Sequence, residues 1–171
     1  VVADTGNSAI RKIATNGTVT TIAGDGTPGF DGDGGPAADA QIDNPREVAA
    51  MPDGGFIFPD TNNNRVRRVW PNGTITTVAG TGIQGFSGDD GLAALAELNR
   101  PFSVSPTADG GFLIADIGNQ RIREVAADVR PVSTAHRDRE QLPCVEDRHG
   151  QRHVRRERAA LVGVVEDDDV L

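Results

Sequence analysis

Three polar triads hold the residues best suited to chemistry: Asp4, Asn7 and Arg11; Asp60, Asn63 and Arg67; Asp116, Asn119 and Arg123. A carboxylate so placed could act in catalysis, and the arginines could line an anion-binding rim. The same types also suit turn chemistry. Aspartate accepts backbone N–H groups, asparagine bonds its neighbours, and arginine answers a nearby carboxylate. Spacing decides between these readings. The triads recur at one interval (60 − 4 and 116 − 60 both give 56). A group repeated in every unit serves the unit, so the triads are expected to be structural rather than catalytic.

The neighbouring residues keep the same register. Ile10-Arg11-Lys12-Ile13 returns as Val66-Arg67-Arg68-Val69 and as Ile122-Arg123-Glu124-Val125. Thr20-Thr21-Ile22-Ala23-Gly24 returns as Thr76-Thr77-Val78-Ala79-Gly80. A fixed, ungapped period of this size marks a solenoid, a propeller or an array. One full unit contains four strand candidates: Arg46–Ala50, Phe56–Phe58, Arg65–Trp70 and Thr74–Ala79. Phe56-Ile57-Phe58 is apolar at consecutive positions, as a strand buried on both faces would be. Turns at Pro52-Asp53-Gly54-Gly55, Asn62-Asn63-Asn64 and Pro71-Asn72-Gly73 separate the strands. Asn-Gly, also found at Asn16-Gly17, signals a tight primed hairpin turn with positive φ. Four such antiparallel strands make a propeller blade. The linkers between blades also repeat: Gly29-Phe30-Asp31-Gly32-Asp33 against Gly85-Phe86-Ser87-Gly88-Asp89. An Ala-rich stretch follows, where Pro36 suits a first helical position.

These strings resemble the NHL repeat family. The resemblance rests on Gly54-Gly55-Phe56-Ile57-Phe58-Pro59-Asp60-Thr61-Asn62-Asn63-Asn64-Arg65-Val66-Arg67 and on Phe112-Leu113-Ile114-Ala115-Asp116-Ile117-Gly118-Asn119-Gln120-Arg121-Ile122-Arg123. The Thr-Val-Ala-Gly-Thr-Gly string at 77–82 and Gly-Phe-Ser-Gly-Asp at 85–89 are similar to the longer units of bacterial and teneurin-type NHL propellers. The resemblance implies a six-bladed β-propeller. Six units of 56 residues amount to 336, against 171 here, so the expected fold is all-β: two to three four-stranded blades of a larger ring, followed by an irregular C-terminal tail. The chain opens inside a unit, which reads as a piece of a longer array.

The pattern covers residues 1–128 and then breaks. Thr-Thr-Val-Ala-Gly is due at 132–136, and the chain reads Val132-Ser133-Thr134-Ala135-His136. All three histidines, the single cysteine and half of the arginines lie beyond Asp128. Residues 129–171 are therefore read as a charged, aperiodic tail, either disordered or a frame-shifted reading of the gene. A weak outer strand is expected at Val129–Thr134, and mobility over 137–158.

Other candidate sites are weaker. Asp31-Gly32-Asp33 is half a calcium loop, too few oxygens for a hard cation. Cys144, His149 and His153 are soft-metal ligand types without an evident fourth partner. No histidine occurs in Val1–Asp128, and neither a Ser/His/Asp triad nor a phosphate-cradling glycine motif can be assembled there. The net charge of −8 disfavours nucleic acid, although Arg65-Val66-Arg67-Arg68 is locally basic. No apolar run is long enough to span a membrane. Both oxidising and reducing compartments fit one cysteine, so extracellular and cytoplasmic locations remain open. No catalytic, metal or cofactor residue is assigned.

The expected role is a non-enzymatic scaffold that binds a protein or glycan on one propeller rim. The alternative is part of an axial-metal lyase or lactonase whose catalytic residues lie in other blades. RNA binding is the third reading. The isolated chain is expected to self-associate, with Phe56, Phe58, Phe112 and Ile114 among the residues left uncovered.

Overall fold

The structure, a computed structural model, describes residues 1–127 and three later strands, Cys144–Glu146, Arg152–Val154 and Leu161–Val164. The fold is an all-β partial propeller, with no α-helix among the described residues. Blade 1 contains β1 (Val2–Asp4), β2 (Ala9–Ile13) and β3 (Val19–Ala23). Blade 2 contains β4 (Ala49–Ala50), β5 (Phe56–Asp60), β6 (Arg65–Val69) and β7 (Ile75–Ala79), hydrogen-bonded in that order. A short β8 (Gly91–Leu92) lies in the linker that leads to blade 3. Blade 3 contains β9 (Pro101–Pro106), β10 (Phe112–Asp116) and β11 (Arg121–Val125). Every pairing among these strands is antiparallel.

The strands after residue 127 are β12 (Cys144–Glu146), β13 (Arg152–Val154) and β14 (Leu161–Val164). β14 pairs antiparallel with β11, and Leu161 pairs with Leu92 of β8. This is the place of a fourth blade strand: in blade 2, Thr74 just before β7 makes the matching bridge to Pro36. β12 and β13 form a separate two-stranded ribbon. The Val129–Thr134 strand expected from the sequence lies outside the described residues, as do His149 and most of 137–158.

Local chemistry explains the turns, with one correction. The Asn-Gly sites are not primed two-residue turns. Gly73 N–H donates to Trp70 O and Trp70 N–H to Thr74 O, so Pro71 and Asn72 occupy the centre of the turn. Only Gly73 takes a positive φ (84°), and the Asn72 side chain accepts the Thr74 N–H. The arrangement repeats at Ala14–Thr18. A three-residue loop closed by a left-handed glycine matches the strand twist equally well. The Asn62-Asn63-Asn64 turn is a single 3-10 turn over Thr61–Asn63 that ends in left-handed Asn64 (φ 50°). Pro36 stands just before a one-turn 3-10 helix, Ala37–Asp39, rather than inside it. The first strand of blade 2 is also shorter than its sequence suggests. Arg46, Glu47 and Val48 lie outside the ladder, and the Glu47 carboxylate reaches across to accept the Val104 N–H of blade 3.

The core consists of two inter-blade layers. Ile10 and Ala23 of blade 1 meet Phe58, Val69 and Ile75 of blade 2, with Ala37, Ala40 and Ile42 of the linker between them. Ile57, Val66 and Val78 of blade 2 meet Val104, Phe112, Ile114 and Val125 of blade 3, with Ala93, Ala96 and Leu98 between. Adjacent residues of β5, Ile57 and Phe58, thus enter opposite layers, which is why this strand lacks alternation. Each fully buried side chain of this size stabilises by about 1.5–3 kcal/mol. Phe58, Phe112 and Ile114 are fully buried and Phe56 is half-buried, contrary to the expected exposure. Neighbouring blades and linkers cover them.

The linkers are structured by close backbone contact. Gly24 N–H donates to Ala37 O and Asp25 N–H to Ala40 O; one period on, Gly80 donates to Ala93 O and Thr81 to Ala96 O. Gly32 (φ 85°) lies where a Cβ would fall 2.7 Å from Ala40 Cα, and Gly88 stands in the same relation to Ala96 at 2.6 Å. Only glycine permits both that φ and that approach.

Candidate functional site

The sequence places each triad at the end of a blade's second strand and the start of its third. Antiparallel pairing of β5 with β6 sets Asp60 opposite Arg65, two residues from Arg67. A register shift between Val66 and Arg67 then turns the Arg67 side chain towards the incoming linker.

In blade 2 the triad clamps that linker. Asp60 is fully buried and accepts the Asp43 N–H (2.7 Å), the Asn63 side-chain amide (2.8 Å) and Arg67 Nη1 (3.2 Å). Asn63 also donates to Gly29 O (2.7 Å). Arg67, likewise fully buried, donates to Gln41 O and Asp31 O and pairs with the Asp33 carboxylate at 2.8 Å. The face of Phe30 lies beneath it, with Arg65 on the same ring at 3.9 Å from the centroid. Both ends of the linker, near Gly29–Asp33 and Gln41–Asp43, are therefore held by three side chains of one turn.

Blade 3 repeats the clamp. Asp116 accepts the Asn99 N–H (2.8 Å) and the Asn119 amide (2.7 Å); Asn119 donates to Gly85 O (2.7 Å). Arg123 donates to Glu97 O and Ser87 O, both at 2.9 Å, and pairs with Asp89, while its contact with Asp116 lengthens to 3.8 Å. Phe86 lies under Arg121 and Arg123. In blade 1 only the internal bonds form. Asn7 donates to Asp4 (2.8 Å), Arg11 Nε donates to Asp4 (3.0 Å), and Arg11 Nη1 turns to Thr21 Oγ1.

Burial pushes the Asp60 carboxyl up to about 6, against the opposing pull of the Asp43 N–H and the Arg67 charge. Burial raises Asp116 as well, with the Asn99 N–H and the Asn119 amide opposing. A carboxylate raised towards neutrality can act as a general acid or base. Here, however, Asp60 is inaccessible to solvent and its oxygens already face donors of the chain itself.

Sequence reasoning set Asp33 aside as part of half a calcium loop and read Asp89 only as its counterpart in the repeated linker. Each is the carboxylate partner of a buried arginine. The constant offset from Asp33 to Arg67 and from Asp89 to Arg123 was the available signal. Among the described residues, no group of three or more His, Cys, Asp or Glu converges on a point where a metal could sit. Cys144 stands opposite Val154 in the β12–β13 ribbon, beside the pairing of Val145 with His153.

On the opposite rim, a cleft of about 440 Å³ opens between blades 1 and 2. Lys12 and Ile22 form one wall, Phe56, Trp70 and Pro71 the other, with Pro36 at its edge. Trp70 donates its indole N–H to Thr76 and carries the Arg68 guanidinium 3.9 Å above its ring. Arg68 in turn pairs with Asp53 at 2.6 Å. Sequence analysis did not single out this cleft, because Trp70 takes positions filled by Ala14 and Ala126 in the other units.

No family model matches the chain. Over 100 residues it is 36% identical to human teneurin-4, a stretch covering 51% of this chain and 4% of teneurin-4. A Bacteroides thetaiotaomicron protein of unknown function superposes with a TM-score of 0.64 at 27% identity, covering 72% of this chain and 31% of its own. An auxiliary nutrient binding protein of Bacteroides ovatus superposes with a TM-score of 0.58 at 26% identity, covering 71% of this chain and 33% of its own. The chain thus spans about a third of these solved relatives and a small part of teneurin-4.

Proposed function

We propose, for a chain that belongs to the NHL-type repeat family and forms part of a β-propeller, the role of a non-enzymatic binding scaffold within a six-bladed ring. One observation carries this reading. In blades 2 and 3 the recurring charged groups are committed to the backbone of the linkers, as Arg67 is to Gln41 O and Asp31 O and Arg123 is to Glu97 O and Ser87 O. Groups held this way set the shape of a rim. The ligand is a protein or a glycan, docked where linkers and strand-connecting turns collect. Phe30 and Phe86 stand on that rim, 40% and 42% exposed, each with one face stacked on arginine. A planar ring with its other face open suits a sugar ring or an aromatic side chain. The likeness to an auxiliary nutrient binding protein supports a binding role.

The test uses the full-length parent protein. Glycan and ectodomain panels are screened by calorimetry, alongside metal analysis and assays for lactone hydrolysis and lyase turnover. Saturable binding without turnover, weakened by Phe30→Ala and Phe86→Ala, is expected. A stoichiometric cation together with turnover would establish the axial-metal enzyme instead.

A further inference from the structure

The first strands of blades 2 and 3 meet along one line. The Glu47 carboxylate, just before β4, accepts the Val104 N–H of β9 at 3.1 Å. The Arg46 guanidinium lies over the Phe102 ring, 5.6 Å from its centroid. β4 and β9 are also the edges of their sheets. Propeller blades cover one another through their faces, and the edges that converge border the central channel. Such an edge stays uncovered when a ring is closed.

A bulge brings both side chains to this edge. In blade 3, Asp116 pairs with Pro101 and Ala115 with Ser103, which leaves Phe102 outside the ladder. In blade 2, Asp60 bridges Pro45, and Arg46 stands one period before Phe102 (102 − 46 = 56). The extra residue of a bulge is the one whose side chain is re-aimed. Just before this segment, Arg100 holds a left-handed backbone (φ 52°), with its N–H on the Asn64 side chain. The preceding unit fills that position with Asn44 (φ 59°), a residue that tolerates it. Arginine rarely does, and strain of this kind collects at functional sites.

Charge separates these two arginines from their neighbours. Arg11, Arg67, Arg68 and Arg123 pair with carboxylates, and Arg65 and Arg121 lie over Phe30 and Phe86. Arg46 and Arg100 have no carboxylate partner among the described residues, in a chain of net charge −8. Glu47 is turned to Val104 through one oxygen, and its other oxygen accepts from no group among the described residues. We infer that this inner edge binds an acidic saccharide. One face of a uronate ring lies on the exposed part of Phe102, its carboxylate takes the planar fork of Arg46, and a ring hydroxyl donates to the second Glu47 oxygen. Arg100 supplies a cation for the neighbouring uronate. A neutral sugar uses neither arginine. This site presupposes the glycan arm of the scaffold reading and involves neither Phe30 nor Phe86.

The experiment titrates tetragalacturonate, its methyl ester and cellotetraose into the full-length parent protein, read by calorimetry. Saturable binding of the acid is expected, about tenfold weaker for the ester and weakened by added salt. Arg46→Ala and Phe102→Ala should each weaken it about tenfold and Arg100→Ala about threefold, with melting curves confirming that the variants fold. Lys12→Ala, which removes a positive charge elsewhere, should leave it unchanged. The comparison of acid with ester leaves the protein untouched. No binding at millimolar acid, equal affinity for the ester, or unaltered binding by the Arg46→Ala protein would overturn the inference. Binding of cellotetraose or a protein ligand without binding of the acid would overturn it too and leave the scaffold reading intact. Turnover of the bound acid would overturn the scaffold reading and leave the site.

Discussion

Asp4 with Arg11 and Asp60 with Arg67 are the same pair in the same turn, one period apart. In blade 1 the side chains keep 30% and 35% of their surface in water. In blade 2 both keep none. The residues do not differ; what covers them does. An exposed ion pair contributes about 0–1 kcal/mol, because water competes for both partners. A buried one is costly to break, because removing either partner strands the other's charge. The strength of the pair thus depends on whether a linker covers it.

The largest expected effect tests that difference directly. Arg67→Ala leaves Asp60 buried and strips Gln41 O and Asp31 O of a donor, so it should destabilise by about 3–5 kcal/mol. Arg11→Ala should cost less than about 1 kcal/mol. Urea melts of the two variants measure the gap, and equal costs would break the comparison.

Acidity probes the same contrast. Asp60 keeps its proton to about pH 6 when folded and releases it near 3.9 when unfolded. Between those values the unfolded state binds fewer protons. The stability linked to Asp60 is therefore full below about pH 4, falls as pH rises to 6, and is level above. The two-unit separation bounds the change at roughly 3 kcal/mol. Asp116, raised by burial as well, acts in the same direction. Denaturation measured from pH 4 to 7 should show the decline, and Asp60→Asn should flatten its Asp60 share. A slope unchanged by Asp60→Asn would place the titration elsewhere.

Asp60→Ala should cost roughly 1–3 kcal/mol at neutral pH, by stranding the Asp43 N–H and the Asn63 amide. Asp4→Ala, with no linker on its carboxylate, should cost under about 1 kcal/mol. Loss of ligand binding by Asp60→Ala without loss of stability would instead make Asp60 a functional residue. The smallest effect sharpens the blade-to-blade joint. Thr61 Oγ1 donates to Pro101 O at 2.8 Å in a buried setting, and Thr5 Oγ1 to Pro45 O at 2.7 Å in a half-buried one. Thr61→Val should cost about 1 kcal/mol and Thr5→Val somewhat less, read as shifts in the melting midpoint.

Much of this architecture is legible in the residues. Turn glycines, β-branched runs and a constant period locate the third and fourth strands of blade 2 to within one residue, while its second strand runs on from Phe58 to Asp60, because turn chemistry and strand propensity act locally. The opening strand of blade 2 is less legible. Arg46–Ala50 reads as five strand residues, yet only Ala49 and Ala50 pair, since Glu47 is drawn to the Val104 N–H of the next blade. The Asn-Gly turns mislead in a similar way. At Pro71-Asn72-Gly73 and at Thr15-Asn16-Gly17 alike, the residue before the asparagine shares the turn centre and only the glycine is left-handed.

The candidate site divides along the same line. By itself the sequence determines that an aspartate, an asparagine and an arginine share one turn in every blade, because period and register are properties of the chain. That Asp33 rather than Asp60 is the nearer carboxylate of Arg67 was decided only when the linker folded back over the blade. Burial of that pair, the raised Asp60 carboxyl and the open state of its twin in blade 1 have the same origin. Each depends on which segment lies against the blade, and solvation is set by neighbours in space.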